Sequence, residues 1–378
     1  GGKGWGLVGL FGILCSVMIL SFYNVVSGWA FGYFLETATG SLLKKEEFGS
    51  FFSGFVTDFS DNFWYSLAFM VITALIVMLG VKRGIESSAK IMMPALFLIL
   101  VGISIFGLMQ PNAMEGVSFY LFPDFSQINV ATIYSALGQA FFSLSLGLGG
   151  LITYGSYLSR KENIVKSAVF VSLTDTLVAF LAGMMIFPLV FSQGQSPSEG
   201  PGLVFVALPG IFQAMGPVLG AVIGASFFLL LCFAALTSTI SLLEIPVAFL
   251  MDELKWSRRK AVIVMSLLIF LIGIPSMIGF GGVDLFTDFA YYEGRVKSFM
   301  DVITDIFSVI GLPLGGWLMT IFIATRWKAK NLSEELSHGY DTYIGSWAEK
   351  FINTMIVYVA PFILGLVFFL TILQKFFN

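Results

Sequence analysis

The sequence predicts an all-α polytopic membrane protein with nine transmembrane helices in a single transporter-sized domain, residues 1–378. Three observations predict it. The chain is 57% hydrophobic and only 11% charged, with a mean hydropathy of +0.91, far from the composition of a soluble domain. Uncharged or nearly uncharged runs long enough to cross about 30 Å of hydrocarbon lie at residues 7–35, 63–81, 91–109, 128–158, 164–190, 217–248, 261–280, 300–325 and 351–374. If residue 1 is cytoplasmic, every one of the 20 lysines and arginines falls in an inside segment except Lys44, Lys45, Arg295, Lys297 and Lys375. That asymmetry fixes the orientation and leaves the C-terminus external. The net charge of −3 decides little, because loop distribution and not the sum sets topology.

The opening GGKGWG has one lysine and no cleavage pattern ahead of a long apolar run, so it is not a signal peptide. The first span places Ile19 and Tyr23 four residues apart on one helical face, and a mid-span tyrosine needs a partner for its hydroxyl. In the external loop 40–62, EEFGSFFSGF reads as a short interfacial helix. The cytoplasmic stretch VKRGIESSAKIMMP sets Gly84 nine intervening residues ahead of Pro94. That pair weakens a helix start, and it also fits ordinary loop-to-helix punctuation.

The fourth span is interrupted. Its centre, Ser143 to Gly150, holds three glycines in four positions, each costing about 1 kcal/mol against alanine inside a helix. In lipid, the backbone groups freed by a break cost several kcal/mol more unless something satisfies them. Such a break survives where it lines a polar cavity, as in the broken helices of secondary transporters.

Asp175 is the only carboxylate inside the next apolar stretch, and an acid buried in a membrane marks function by default. Residues 191–216, rich in proline and glycine, read as an external lid-like loop. The following span carries Ala234, Thr237 and Ser238. Their oxygens could take a hard cation, or the hydroxyls could bond back to carbonyls one turn earlier. Glu244 lies six residues further, about 9 Å toward the cytoplasm, within reach of the basic loop DELKWSRRKA. Asp301 and Asp305 stand one turn apart at an external mouth, and the last span has no buried charge. Cys15 and Cys232 fall inside apolar runs as small buried hydrophobes. A lone histidine, His338, argues against a metal site or a histidine-based triad.

Taken together, FFSLSLGLGG, FAALTSTISLL, ILSFYNVVSGW and KRGIESSAKIMMP resemble the neurotransmitter:sodium symporter family through essentially the whole chain. The resemblance implies the LeuT fold, an inverted repeat, with the nine spans equivalent to family helices 3 through 11 and helices 1 and 2 lying before Gly1. It implies a truncated form that is inactive alone. By resemblance, Ile19, Tyr23, Phe142, Ser143, Ser145, Leu148, Ser238 and Leu242 are expected to bind substrate. Tyr23 would reach its carboxylate, Phe142 would be the aromatic lid, and the Ser145 carbonyl would meet the amine. Ser143 and Asp175 resemble part of a first sodium site, and Ala234, Thr237 and Ser238 a second. Tyr23, Phe142 and Asp305, or else Asp301, resemble gate residues, and Gly84 with Pro94 a point of helix unwinding.

The expected activity is sodium-coupled symport of amino acids by alternating access. Apolar or aromatic substrates are favoured because Ile19, Phe142, Leu148 and Leu242 make an apolar wall. Most chloride-dependent relatives carry asparagine where Asp175 stands and serine where Ala179 stands, so chloride-independent transport is expected. The partners expected are the amino acid, sodium and the lipid bilayer of the plasma membrane, with a homodimer left open, no nucleic acid, and no cofactor beyond sodium as coupling ion. A channel or receptor-like membrane module is the competing class, but no continuous polar stripe runs through several spans. An intramembrane enzyme would need paired acids or a Ser/His or Ser/Lys dyad at one depth, which the spacing does not supply.

Overall fold

A computed structural model of the chain describes residues 3–192, 194, 200–281 and 283–377. The chain opens with α1 (Gly6–Ala38), α2 (Phe48–Thr57) and α3 (Phe59–Met78). A π-turn over Val81–Glu86 leads into α4 (Ser87–Leu108), followed by α5 (Ala113–Leu121). The broken span is α6 (Val130–Ser143) and α7 (Gly150–Gly155) with six irregular residues between them. Then come α8 (Ile164–Ser192), α9 (Leu208–Ala214), α10 (Pro217–Asp252), α11 (Arg258–Ile278) and the short α12 (Asp284–Thr287). A hairpin of β1 (Ala290–Tyr292) and β2 (Arg295–Lys297) precedes α13 (Phe299–Ile303), a π-stretch over Thr304–Ile310 and α14 (Gly311–Phe322). The chain closes with α15 (Lys328–Ser337), α16 (Trp347–Thr354) and α17 (Ala360–Phe377).

Among the described residues, eight helices are long and apolar enough to cross a membrane. The ninth segment is split into pieces of 14 and 6 residues, each too short to cross alone. Of the lid-like loop, residues 193 and 195–199 lie outside the described residues; the rest forms a π-turn over Leu203–Ala207 and α9.

The packing centres on α1, which runs about 50 Å against α10, α3 and α11. Two polar anchors set its register on α3. Gly28 lets the backbones close up, since a Cβ there would run into Ser66, and Asn24 Nδ2 donates to the Ser66 carbonyl at 3.0 Å. One turn further out, the buried Asn62 accepts from Trp29 Nε1 and donates to the carbonyls of Phe55 (3.1 Å), Val56 (2.8 Å) and Asp58 (2.9 Å). One amide thereby ties the end of α2 to the start of α3. The phenylalanine-rich segment is helical because its rings have a common target. Tyr33 is surrounded by Phe51, Phe55, Phe205 and Phe228 at centroid distances of 5.6, 5.2, 5.0 and 5.3 Å. That cage joins α2 and the Leu203–Ala207 turn to the C-terminal part of α1.

The hairpin was not anticipated from the loop GGVDLFTDFAYYEGRVK. Its turn residues, Glu293 and Gly294, both take positive φ (55° and 69°), as a two-residue turn matched to strand twist requires. The signal was there: a glycine-containing pair flanked by AYY and RVK.

Candidate functional site

The break makes the site. Ser145 (φ 52°), Gly147 (φ 86°) and Gly149 (φ 80°) turn the chain out of helix, and neighbouring backbones hold it there. A Cβ on Gly147 would strike the Leu312 carbonyl, one on Gly315 would strike the Gly147 carbonyl, and one on Gly12 would press on Leu148 at 3.1 Å. These glycines therefore serve two ends, left-handed φ and close approach of α1 and α14 to the break.

Beside the break lies a cavity of about 600 Å³. Ile19 and Tyr23 enter it from α1, Phe142, Ser143, Ser145 and Leu148 from the break, and Ser238 and Leu242 from α10. The eight residues expected to bind substrate thus share one cavity, joined by Asp175 from α8 and Thr237 from α10. The Tyr23 hydroxyl faces Ser238. Phe142 is 42% exposed and lines the cavity.

Ser143 Oγ donates to both oxygens of Asp175, at 2.7 and 2.9 Å. Asp175 makes no ion pair among the described residues. A carboxylate in a membrane span, bonded by one hydroxyl and facing a cavity, is able to accept a cation from outside the protein. On α10 the alternative readings of the hydroxyls meet in one arrangement. Thr237 Oγ1 and Ser238 Oγ both donate to the Ala234 carbonyl, at 2.9 and 3.2 Å. Their protons are used locally, and each hydroxyl oxygen keeps a lone pair able to accept, Ser238 Oγ also facing the Tyr23 hydroxyl, so three oxygens are gathered within one turn. Ala234 itself does not line the cavity.

Gly84, Pro94 and the two candidate gate acids also lie outside the cavity. Gly84 sits in the π-turn and is demanded by packing, because a Cβ would overlap the Ile76 carbonyl. Pro94 lies inside α4, adjacent to Met93, which does line the cavity. Asp305 is buried in the first turn of the π-stretch, where it accepts from the Tyr292 hydroxyl at 2.6 Å and pairs with Lys375 at 2.9 Å and Lys297 at 3.5 Å. Asp301 has a different role, since its carboxylate accepts from Ser298 N and Oγ at 3.0 and 2.9 Å as a capping box. Of the two acids, Asp305 alone is free of a capping role.

Sequence reasoning missed the cavity residues Tyr154, Gln139 and Ser241; the Tyr154 hydroxyl donates to Ser241 Oγ at 3.2 Å. Below them lies the Glu244 that the sequence set within reach of the basic loop; Tyr157 is the partner it did not name. Glu244, fully buried, takes Arg258 in a two-pronged pair (2.5 and 3.1 Å) and the Tyr157 hydroxyl at 2.7 Å, while Arg258 Nε donates to the Val77 carbonyl at 2.7 Å. The basic loop does meet Glu244, and Tyr157, eight residues past Gly149, ties α10 and Arg258 to the chain just beyond the break.

The profile of the sodium:neurotransmitter symporter family matches residues 53–376. The chain belongs to this family. Relatives include an uncharacterized sodium-dependent transporter, YhdH, of Bacillus subtilis, 37% identical over 89% of this chain and 73% of the relative. One from Haemophilus influenzae is 35% identical over 94% and 78%. The solved structure of MhsT in complex with L-phenylalanine superposes at a TM-score of 0.87 with 41% identity, covering 98% of this chain and 82% of that one. The fold of this symporter-family chain is therefore the LeuT fold, and the chain is a multi-pass membrane protein of a sodium-dependent transporter family, with sodium and a small molecule as its partners.

Proposed function

We propose that the protein is a sodium-coupled symporter of apolar or aromatic amino acids, working by alternating access and independently of chloride. The observation that carries this reading is the Ser143–Asp175 pair, an acid without a protein cation on the wall of a cavity whose remaining lining is largely apolar. Sodium supplies the missing charge through Ser143 and Asp175 at one point and the Ala234, Thr237 and Ser238 oxygens at another. The substrate carboxylate meets the Tyr23 hydroxyl, its amine meets Ser145 and its side chain meets Ile19, Leu148 and Leu242 under the Phe142 ring. The L-phenylalanine named with MhsT is a ligand of the size and polarity this wall favours. Gly84 and Pro94 weaken the start of α4 so that water reaches the α10 oxygens from the cytoplasm. Because Asp175 is a fixed negative charge and Ala179 offers no hydroxyl one turn later, no anion is needed beside the first cation. We place the protein in the plasma membrane, residue 1 inside and the C-terminus outside, surrounded by lipid and able to pair as a homodimer.

The test is uptake of each amino acid into proteoliposomes carrying the full-length protein, with an inward sodium gradient, without it, and with chloride replaced by gluconate. Sodium-dependent uptake of apolar or aromatic amino acids, unchanged by gluconate, is the expected result. Absence of sodium dependence for every amino acid would sink the reading.

A further inference from the structure

Two of the five lysines and arginines on the external side, Lys297 and Lys375, are drawn into one cluster that neither the cavity nor the fold requires. Lys297 ends β2 and is 1% exposed, while Lys375 lies in the last turn of α17. Each lysine bridges the same two carboxylates. Lys297 Nζ meets Glu293 Oε2 at 2.5 Å and Asp305 Oδ2 at 3.5 Å, and Lys375 Nζ meets Glu293 Oε1 at 3.1 Å and Asp305 Oδ1 at 2.9 Å. Two positive and two negative groups close a neutral square. Tyr292 fixes one corner by donating to Asp305 at 2.6 Å, lies under Lys297 Nζ (4.8 Å to the ring centroid) and packs on Phe376 at 5.5 Å. Three separate pieces of chain, the hairpin, the π-stretch and the end of the last span, meet in this square and its aromatic clasp.

We propose that Lys297 and Lys375 are positioning residues of the external gate: they hold Asp305 in a closed ionic latch that ties the π-stretch to α17 and must loosen when the external mouth opens. This rests on the transport reading given above. A surface ion pair would be nearly neutral for stability. Here burial changes the balance, because removing one partner leaves the others unpaired at low dielectric, and the cost falls on the closed state alone. The π-stretch suits such a hinge, since its i→i+5 turns are a local departure from regular helix often found at functional positions.

The experiment places a reporter one turn inward of Asp305. Ser308 is 8% exposed, on the same π-stretch. S308C in the full-length protein is labelled from outside by a membrane-impermeant thiol reagent, with the parent carrying buried Cys15 and Cys232 as the blank. Lys375→Met is expected to speed labelling roughly tenfold, within the usual range of coupling between sites, and Lys375→Arg to restore the parent rate. If K375M does not fold, Tyr292→Phe removes one hydroxyl and no charge, and is expected to speed labelling about threefold. Rates unchanged in whichever of these variants folds, or a faster K375M rate that K375R does not restore, would overturn the latch. Labelling needs neither substrate nor sodium, so absence of uptake by the wild type would overturn the transport reading and leave this result standing.

Discussion

Replacing Asp175 by asparagine removes a charge and keeps the shape. The Ser143 hydroxyl still finds an oxygen at the Asp175 position, so the 2.7 Å hydrogen bond survives as a neutral one and the cavity wall keeps its form. What is lost is the attraction for the cation. Two unit charges about 4 Å apart attract by roughly 4 kcal/mol at an effective dielectric near 20. Asp175 is only half-buried and its cavity is open to water, so we take about half of that, ~2 kcal/mol. At ~1.4 kcal/mol per decade this is roughly a thirtyfold rise in the sodium concentration for half-maximal uptake. The assay is initial-rate uptake into proteoliposomes across a sodium titration, with choline keeping ionic strength constant. Added chloride should lower the requirement of D175N and leave the wild type unchanged. A D175N sodium curve that overlays the wild type would refute the assignment of this acid to cation binding.

Three further predictions concern the frame around the site. Arg258→Gln strands Glu244 in a fully buried position, which should destabilise the protein by about 3 kcal/mol; the drop in thermal midpoint in detergent checks it, and the double change of Glu244 and Arg258 to methionine should recover most of the loss. Gly147→Ala combines a φ of 86° with a clash against the Leu312 carbonyl and should abolish uptake. Gly138→Ala in α6, where an added Cβ meets nothing within 4 Å, should leave the same assay unchanged. Burial pushes the Glu293 carboxyl upward, but its bonds to Lys297 and Lys375 outweigh that and hold it below its ordinary value of 4.5. A carboxyl depressed in the folded state contributes stability above its unfolded pKa that is lost as pH falls through the folded value. The thermal midpoint should therefore drop as pH falls below about 4.5, and drop less in Glu293→Gln.

Much of this site was legible in the sequence because its signals are costly. Three glycines inside an apolar run and an acid in hydrocarbon are features a membrane helix discards unless they are used, so the break and Asp175 stood out before any neighbour was known. The short helix over Phe48–Thr57 announced itself by ring density. The part of Tyr157 did not, because it looks like an ordinary helix end; only the three-dimensional meeting with Glu244 and Arg258 makes them a set. The hydroxyls of Thr237 and Ser238 were undecidable for a different reason, since a hydroxyl that donates to a carbonyl can still accept from elsewhere. The square of Lys297, Lys375, Glu293 and Asp305 was hidden because its members come from distant stretches, although lysines left on the external side were a weak sign.

The glycine contacts at the break have a mechanical consequence. Between Gly147 and the Leu312 to Gly315 turn of α14 there is no side chain, and a joint made of bare backbone has no rotamers with which to absorb a displacement. A core of leucines can yield by repacking; this one transmits. A tilt of α14 is therefore expected to carry with it the chain on which Ser143, Ser145 and Leu148 are mounted, and so to reshape the cavity wall.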